Sequence, residues 1–246
     1  MAQFAVHIAT GLLAGDVIKP SKSMLYALVI GAFAPDLDFI PMLAIYLFNP
    51  ELASSFHRSF SHSLFLPLLI FLICWIWSKI THLENVLSWG VGLAFGLLTH
   101  VILDILFWFD TVKMLWPLDL WGISTTVAIW QGVDVPVAIK LLIGPASEFL
   151  AYGLLFFYFM RRAYNSDEKN RTYYRVLRWA GAAAILVFAI FVTLIFFLPE
   201  ESFVEYAYSV TSFSFAPLSL YLLWKLRHRL FRPNNTPAES LQLSQV

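Results

Sequence analysis

Charged residues and cysteines are both scarce in this sequence. Only 13% of the 246 residues are charged and 59% are hydrophobic, against about 25% and about 45–50% in ordinary soluble domains. This composition excludes a conventional soluble protein and predicts a membrane protein. The single cysteine, Cys74, lies inside an apolar run, which excludes an intramolecular disulfide framework or a thiolate zinc site. Any metal must therefore be held by His, Asp or Glu.

An excess of either charge is also lacking, because 16 Lys and Arg balance 16 Asp and Glu. Without a long basic run, the chain offers no electrostatic surface for nucleic acid, and a duplex-binding function is excluded. A basic region and a small-residue cleavage site, which mark a secretory signal peptide, are missing from residues 1–19. We therefore expect this segment to remain in the mature protein.

Apolar segments dominate what is present, and seven of them approach the roughly 20 residues that a transmembrane helix needs. They lie near 3–18, 24–48, 63–80, 86–109, 138–160, 179–198 and 206–224. The second is broken at Pro35–Asp38, which is tolerated at membrane depth only where protein or water satisfies the freed backbone groups. We expect an all-α, polytopic transmembrane bundle of six to seven helices, with a cavity at the break.

The distribution of basic residues predicts the orientation, because cytoplasmic loops carry the excess of Lys and Arg. Alternate connections and the C-terminal tail hold thirteen of them, and the opposite side holds three. The N-terminus is therefore expected to be external and the C-terminus cytoplasmic, in a plasma (inner) membrane. We divide the chain into a functional part at 1–160, a basic cytoplasmic loop at 161–178, a helical hairpin at 179–224 and a disordered tail at 225–246.

Ionisable residues inside membrane helices are costly and mark functional sites. The functional part has nine of them: His7, Asp36, Asp38, His57, Arg58, His62, His100, Asp104 and Glu148. With a rise of about 1.5 Å per residue and the orientation above, all nine fall in the outer half of the bilayer. Positions that are far apart in sequence are therefore expected to meet in one layer.

The fourth long apolar segment carries His100 and Asp104, which share one helix face and could bind one cation or act as ligand and orienting partner. Gly92 and Gly96 on the same segment form a small-residue face that favours close helix packing.

The block His57-Arg58-Ser59-Phe60-Ser61-His62-Ser63 is the second dense cluster. Its two histidines suit a loop or helix entry better than one helix face, and both could reach one site. Arg58 offers a fork of donors for phosphate or a developing oxyanion, or an anchor for lipid headgroups. Ser61 is interpreted as the N-cap of the following helix rather than as a nucleophile.

The possible roles of four further ionisable residues are inferred from the residues around them in the sequence. Asp36 and Asp38 on the broken segment could bridge cations or divide into a ligand and a general base, or they could cap the two helix ends. His7, on an apolar face, is either a core histidine or a ligand. The role of Glu148 stays open. Imidazoles and carboxylates without thiolates suit one or two zinc ions, with manganese or iron as alternatives.

In the order of these motifs the sequence resembles the YdjM-type inner-membrane family, which is LexA-regulated in some bacteria. The resemblance covers residues 1–160. The residues that carry it are His7, Pro35-Asp36-Leu37-Asp38, the block from His57 to Ser63, His100-Val-Ile-Leu-Asp104 and Trp116-Pro117. It implies a bacterial or archaeal membrane-bound metal-dependent hydrolase, with metal ligands among His7, Asp36, Asp38, His57, His62, His100 and Asp104. Residues 107–111 depart from the turn that such sequences have there.

The sequence thus predicts a hydrolase that cleaves a phosphate ester of a membrane lipid or other amphiphilic substrate at the external face. The predicted metal ligands are His7, Asp36, His57, His62, His100 and Asp104. Asp38 is expected to orient or deprotonate water, and Arg58 to neutralise a substrate oxygen. The alternatives are an ion- or proton-coupled transporter that uses the His/Asp cluster as a relay and a membrane scaffold with a structural metal.

Overall fold

The computed structural model describes residues 4–38, 59–107, 112–123, 132–164 and 171–231, together with 41, 45, 47–49, 126–127 and 129–130. Predictions for His57, Arg58, residues 108–111 and the tail from 232 onward fall outside these residues. Of the tail predicted at 225–246, residues 225–230 are helical instead. Within the described part nearly all residues are helical.

Seven helices follow one another along the described chain. They are α1 (Phe4–Ile18), α2 (Lys22–Phe33), α3 (Phe65–Thr81), α4 (Glu84–Phe107), α5 (Val137–Leu141, a π-helical turn at Leu142–Ala146, and Ser147–Tyr164), α6 (Arg171–Leu194) and α7 (Glu200–Val210, a π-helical turn at Thr211–Phe215, and Ala216–Leu230). Three 3-10 turns cover Ala34–Asp38, Phe60–His62 and Leu118–Trp121. A two-residue strand, β1 (Val112–Lys113), pairs antiparallel with β2 (Thr126–Val127). The predicted all-α transmembrane bundle is confirmed.

Three of the described helices are long and apolar enough to cross a membrane by length and composition. These stretches are Glu84–Phe107, Val137–Arg162 and Thr172–Leu194, of 24, 26 and 23 residues. Phe4–Ile18 and Phe65–Thr81 are apolar but shorter. At about 1.5 Å per residue, α1 and α3 fall short of a hydrocarbon core of about 30 Å. The helix over Phe4–Ile18 agrees with the apolar segment predicted near 3–18.

The apolar core lies where α5 packs against α6, α7 and α1. Large aromatic side chains fill it, including Phe149, Tyr152 and Phe156 of α5 and Phe215 of α7, all buried. The rings of Tyr152 and Phe215 stack with centroids 5.5 Å apart. Because this core is made almost wholly of apolar side chains, its role is to stabilise the bundle. The buried ionisable side chains lie elsewhere, on α1, on the turns next to α2 and α3, and on α4.

Close packing of α2 against α4 depends on glycine. A Cβ atom added at Gly96 would lie 2.2 Å from the Leu28 carbonyl oxygen, and one at Gly92 would lie 2.4 Å from the Met24 carbonyl oxygen. Both distances are too short for any side chain, so only glycine permits this approach. The predicted small-residue face is confirmed, and it brings the backbone of α2 beside the face of α4 that carries His100.

The break in the second apolar segment falls where the sequence predicts it. α2 ends at Phe33, and the chain continues as the 3-10 turn Ala34–Asp38. Pro35 cannot donate a helical backbone hydrogen bond, which explains why the α-helix does not continue. Asp36 and Asp38 on this turn are both buried.

A polar contact ties α1 to α5 at their far ends. Tyr158 donates a hydrogen bond of 2.8 Å to Asp16, and Arg162 donates to Tyr158 and to the second oxygen of Asp16. This contact fixes the placement of α1, whose other half carries His7.

Candidate metal centre

Five ionisable side chains meet inside the bundle and are almost completely buried: His7, Asp36, His62, His100 and Asp104. His62 Nε2 lies 3.1 Å from both His100 Nε2 and Asp104 Oδ2. His7 Nε2 lies 3.2 Å from Asp104 Oδ1 and 3.8 Å from Asp36 Oδ2. Residues separated by up to 97 positions thus form one cluster.

Each element delivers its side chain for a local reason. His7 lies in the first half of α1, and Asp36 lies on the 3-10 turn that Pro35 imposes. His62 ends the 3-10 turn that precedes α3. His100 and Asp104 are one helical turn apart on α4 and therefore point to the same side.

The orientation of His100 follows from its contact with α2. Its Nδ1 lies 2.7 Å from the carbonyl oxygen of Ala32, and a carbonyl oxygen can only accept a hydrogen bond. Nδ1 must therefore carry the proton, and the lone pair of a neutral imidazole is on Nε2. That atom faces the cluster, which is the arrangement found in metal-binding histidines.

His62 is oriented in the same way by a second chain of hydrogen bonds. Ser61 donates its hydroxyl hydrogen to Asp38 Oδ2 over 2.8 Å, and its oxygen lies 2.9 Å from His62 Nδ1. Since the hydroxyl hydrogen is engaged by Asp38, the serine oxygen accepts from Nδ1–H of His62. The Nε2 lone pair of His62 is thus also directed into the cluster.

The cluster therefore concentrates lone pairs and negative charge that its hydrogen bonds leave largely unmatched. His7 Nδ1 and Nε2, Asp36 Oδ2 and both oxygens of Asp104 are buried without a hydrogen-bond partner. Among the described residues, neither Asp36 nor Asp104 pairs with a Lys or Arg side chain. Buried groups of this kind are strongly unfavourable unless they are paired or coordinate a metal.

These residues fit a divalent metal. Two overlapping groups each bring three ligand atoms within 4.8 Å of one another: His7, Asp36 and His100, and His62, His100 and Asp104. Nitrogen and oxygen ligands at about 2.0–2.2 Å from a tetrahedral zinc ion are about 3.3–3.6 Å apart, close to the separations of 3.1–3.8 Å observed here. Imidazole and carboxylate ligands suit zinc, manganese or iron.

The structure tests only some of the predictions made for the remaining site residues. Asp38 lies beside the cluster, with Oδ2 3.8 Å from His62 Nδ1, on the ring edge opposite Nε2. His57 and Arg58 lie outside the described residues, so their assigned roles stay predictions. The interpretation of Ser61 as an N-cap is wrong. α3 begins at Phe65, and the Ser61 hydroxyl is engaged by Asp38 and His62.

Glu148, whose role the sequence left open, binds the backbone at the start of α1. Its Oε1 accepts a hydrogen bond of 3.0 Å from the backbone N–H of Ala5, one of the amides at the start of α1 that lack a partner within the helix. Glu148 follows the π-helical turn of α5, a distortion that often marks functional segments. It therefore anchors the helix start two residues before His7.

An apolar groove of about 350 Å³ lies beside the cluster. Its lining residues are Phe60, Ser63, Phe65, Leu66, Leu68, Leu69, Leu72, Trp116 and Pro117. Phe60 and Ser63 flank Ser61 and His62 in sequence, so the groove starts next to the ligands. Ser63 donates a 2.6 Å hydrogen bond to the Trp116 carbonyl oxygen, which holds the far wall against the start of α3.

Comparison with known proteins agrees with this architecture. The family described as YdjM inner membrane protein matches residues 1–202, which include the whole cluster and continue into α7. No curated protein and no solved structure matches the chain significantly. Because the family match spans most of the chain and the described helices are apolar, the protein is membrane-located, and it belongs to the YdjM inner membrane protein family.

Proposed function

We propose that this protein is a membrane-embedded, divalent-metal-dependent hydrolase that cleaves a phosphate ester of a lipid or another amphiphilic substrate. The observation that carries the proposal is the set of buried acceptor atoms that converge without donors. Beside these atoms lie His62 and His100, each held with Nε2 toward the cluster. A cation bound by these atoms would relieve their mutual repulsion inside a membrane protein.

The residues proposed to hold the metal are His7, Asp36, His62, His100 and Asp104, and His57 stays a further ligand predicted from the sequence. Zinc is the ion we favour, with manganese and iron as alternatives that the same ligands accept. A bound divalent ion supplies a Lewis acid for a phosphoryl oxygen and lowers the pKa of the water it binds to about 7.

Asp38 is the proposed general base. It is the carboxylate of this region with the largest exposed fraction, 8% against 2% for Asp36, and its neighbour Ser61 is only half-buried. In the reaction, water forms the new bond to phosphorus, and the ester bond between phosphorus and the leaving oxygen breaks. Asp38 accepts the proton from water and returns it to the leaving alkoxide. Arg58 is proposed to neutralise a substrate phosphoryl oxygen.

The groove beside the cluster supports an amphiphilic substrate. It is lined almost entirely by apolar side chains, and Leu68, Leu69 and Leu72 on its α3 wall are exposed to the surroundings of the bundle. In a membrane those surroundings are hydrocarbon. We therefore propose that one hydrocarbon chain of the substrate occupies the groove while its phosphate headgroup lies at Ser61 and His62. The excess of basic residues on the opposite side supports an external location for this site.

The proposal is tested with purified protein in lipid nanodiscs. Hydrolysis of a long-chain alkyl phosphate ester is expected, with weaker hydrolysis of a water-soluble phosphate ester. A chelator should abolish the activity, and added zinc or manganese should restore it. His100→Ala should eliminate hydrolysis, whereas His228→Ala, an exposed histidine on α7, should leave it unchanged.

Two results of this experiment would contradict the proposal. One is hydrolysis that persists in the chelator and in His100→Ala. The other is an inactive protein that moves protons or metal ions across vesicle membranes in a manner dependent on His100, which would favour the transporter alternative.

A further inference from the structure

The last two turns of α7 carry two cations that are held over the same aromatic ring. Lys225 Nζ lies 4.7 Å from the centre of the Trp224 ring, and Arg227 Cζ lies 5.1 Å from it. Both distances are within the range of about 6 Å for a cation–π interaction. A hydrogen bond of 2.7 Å from Arg227 to the Trp224 carbonyl oxygen also holds the guanidinium in place. The two positive charges are therefore fixed near one point of the helix surface.

Tyr221 and Trp224 form an exposed aromatic pair on the same side of α7. Their ring centroids are 6.5 Å apart, and the two residues are 49% and 56% exposed. Lys225 follows Tyr221 by one helical turn, and its Nζ lies 5.8 Å from the centre of the Tyr221 ring. Exposed Tyr and Trp rings beside basic side chains are typical of the boundary between hydrocarbon and lipid headgroups. We call these four side chains the α7 surface: Tyr221, Trp224, Lys225 and Arg227.

The two cations of the α7 surface lack an acidic partner in the part of the chain that the structure describes. Arg162 pairs there with Asp16, but no carboxylate pairs there with Lys225 or Arg227. The last turn of α7 adds two further basic residues, His228 and Arg229. The α7 surface is thus a compact positive region that can accept a negative charge from outside the protein.

Helix α2 holds this end of α7 in place. Phe231, which directly follows α7, is buried and stacks on Tyr26 of α2 with ring centroids 4.0 Å apart. Lys22 precedes Tyr26 by one helical turn and is exposed, so it adds a positive charge to the same end of the bundle. The metal centre lies at the other end of α2, where Asp36 follows Phe33. The α7 surface and the metal centre are therefore separate sites.

We propose that the α7 surface binds the headgroup of an anionic phospholipid in the cytoplasmic leaflet. The lipid phosphate interacts with the guanidinium of Arg227, whose donors match phosphate oxygens, and with the ammonium of Lys225. The two rings contact the apolar part of the lipid next to its headgroup. Charge complementarity identifies this occupant, because the cytoplasmic leaflet is negatively charged and the distribution of basic residues predicts that α7 ends on that side. The inference goes beyond the proposed hydrolysis and does not depend on it.

Titration of the full-length protein in detergent with phosphatidylglycerol tests this site. Native mass spectrometry gives the dissociation constant of the first bound lipid, and phosphatidylcholine with the same acyl chains is the zwitterionic comparison. Phosphatidylglycerol should bind more tightly. A basic residue near an anionic headgroup contributes about fivefold in affinity, so Lys225→Gln and Arg227→Gln should each weaken phosphatidylglycerol binding by about that factor. Binding of phosphatidylcholine should not change.

Two further variants separate a built site from general charge attraction. Lys79→Gln removes an exposed positive charge from the last turn of α3, and this matched control should leave phosphatidylglycerol binding unchanged. Trp224→Leu keeps an apolar side chain but removes the ring under both cations, so it should weaken phosphatidylglycerol binding without any change in charge. Trp224→Phe, which keeps a ring, should retain most of the affinity. Thermal unfolding in detergent verifies that each variant is folded.

Three results would overturn the proposal. One is equal affinity of the unchanged protein for phosphatidylglycerol and phosphatidylcholine. Another is a loss in Lys79→Gln as large as that in Lys225→Gln, which would show that anionic lipid responds only to overall charge. The third concerns glycerol 3-phosphate, which carries a phosphate but no acyl chains. It should not displace the lipid at millimolar concentration, and complete displacement would identify a site for soluble phosphates instead.

Discussion

The Nε2 atoms of His62 and His100 lie 3.1 Å apart, and each ring donates its other N–H away from the gap between them. Two lone pairs thus face each other across the centre of the cluster, with an Asp104 oxygen 3.1 Å from one of them. Opposed acceptors at this distance are repulsive in the absence of a positive charge. The tautomers that produce this opposition are set by Ala32 and Ser61, so those contacts are part of the site.

Removal of the Ser61 hydroxyl tests this relationship. Ser61→Ala leaves Asp38 and His62 Nδ1 without the atom that links them. Partners that orient a ligating histidine typically change metal affinity by about 10–100-fold when mutated, and we expect a loss in that range. Ser61→Thr keeps the hydroxyl and should restore most of the affinity. Zinc titration against a competing chelator gives the measurement, and equal affinity in Ser61→Ala would exclude the orienting role.

Glu148 should act through the placement of α1 rather than on substrate. Glu148→Ala removes the acceptor for the Ala5 N–H, and a buried unsatisfied amide costs about 1–3 kcal/mol. We expect a lower free energy of unfolding and weaker metal binding, since His7 follows on the same helix. Glu148→Gln keeps an acceptor oxygen and should behave like the unchanged protein in thermal unfolding and metal titration. A large defect in Glu148→Gln with normal stability would instead indicate that the charge itself is required.

The contact between α2 and α4 predicts a steric effect at Gly96. Gly96→Ala would place Cβ 2.2 Å from the Leu28 carbonyl oxygen, and overpacking of this kind costs about 1–3 kcal/mol. Because Ala32 is on the same stretch of α2, the His100 contact should loosen as well. Thermal unfolding in detergent is expected to show the loss for Gly96→Ala. Gly144→Ala is the matched control, since a Cβ there meets no atom within 4 Å. Equal stability of the two variants would contradict the packing argument.

The groove predicts a dependence on substrate chain length. Leu69→Trp adds bulk to the α3 wall of the groove and should shift the preferred substrates toward shorter chains without altering bound metal. A second apolar groove of about 320 Å³ between α3 and α4 provides the control, because Val91→Trp adds bulk there instead. Rates measured over a series of alkyl phosphate esters distinguish the two. A similar shift in both variants would show that chain recognition is not specific to the groove beside His62.

Much of this architecture can be predicted from the sequence because the hydrocarbon core of a membrane permits few backbone structures. Long apolar runs predict the helices, and Pro35 predicts the break before Asp36. The four-residue spacing of His100 and Asp104 places them on one helix face, and the glycines of α4 predict a face for close helix packing, although not which helix packs there. Each of these inferences needs only helix geometry and the cost of polar groups in hydrocarbon.

Other features depend on contacts between distant segments and could not be predicted in this way. The N-cap interpretation of Ser61 failed because α3 begins four residues later, at Phe65, and the hydroxyl is drawn to Asp38 of another segment. Glu148 binds a backbone amide 143 positions away, and no local pattern encodes that pairing. The division of Asp104 oxygens between His7 and His62 requires the positions of individual atoms.

X-ray absorption at the zinc edge of the purified, zinc-loaded protein tests the metal centre most directly. The cluster predicts bound zinc with nitrogen and oxygen neighbours at about 2.0–2.2 Å, the scattering pattern of imidazole, and loss of that pattern in His100→Ala. Absence of tightly bound zinc, or a sulfur neighbour at about 2.3 Å that would indicate Cys74 as ligand, would contradict the assignment of His7, Asp36, His62, His100 and Asp104 as a metal site.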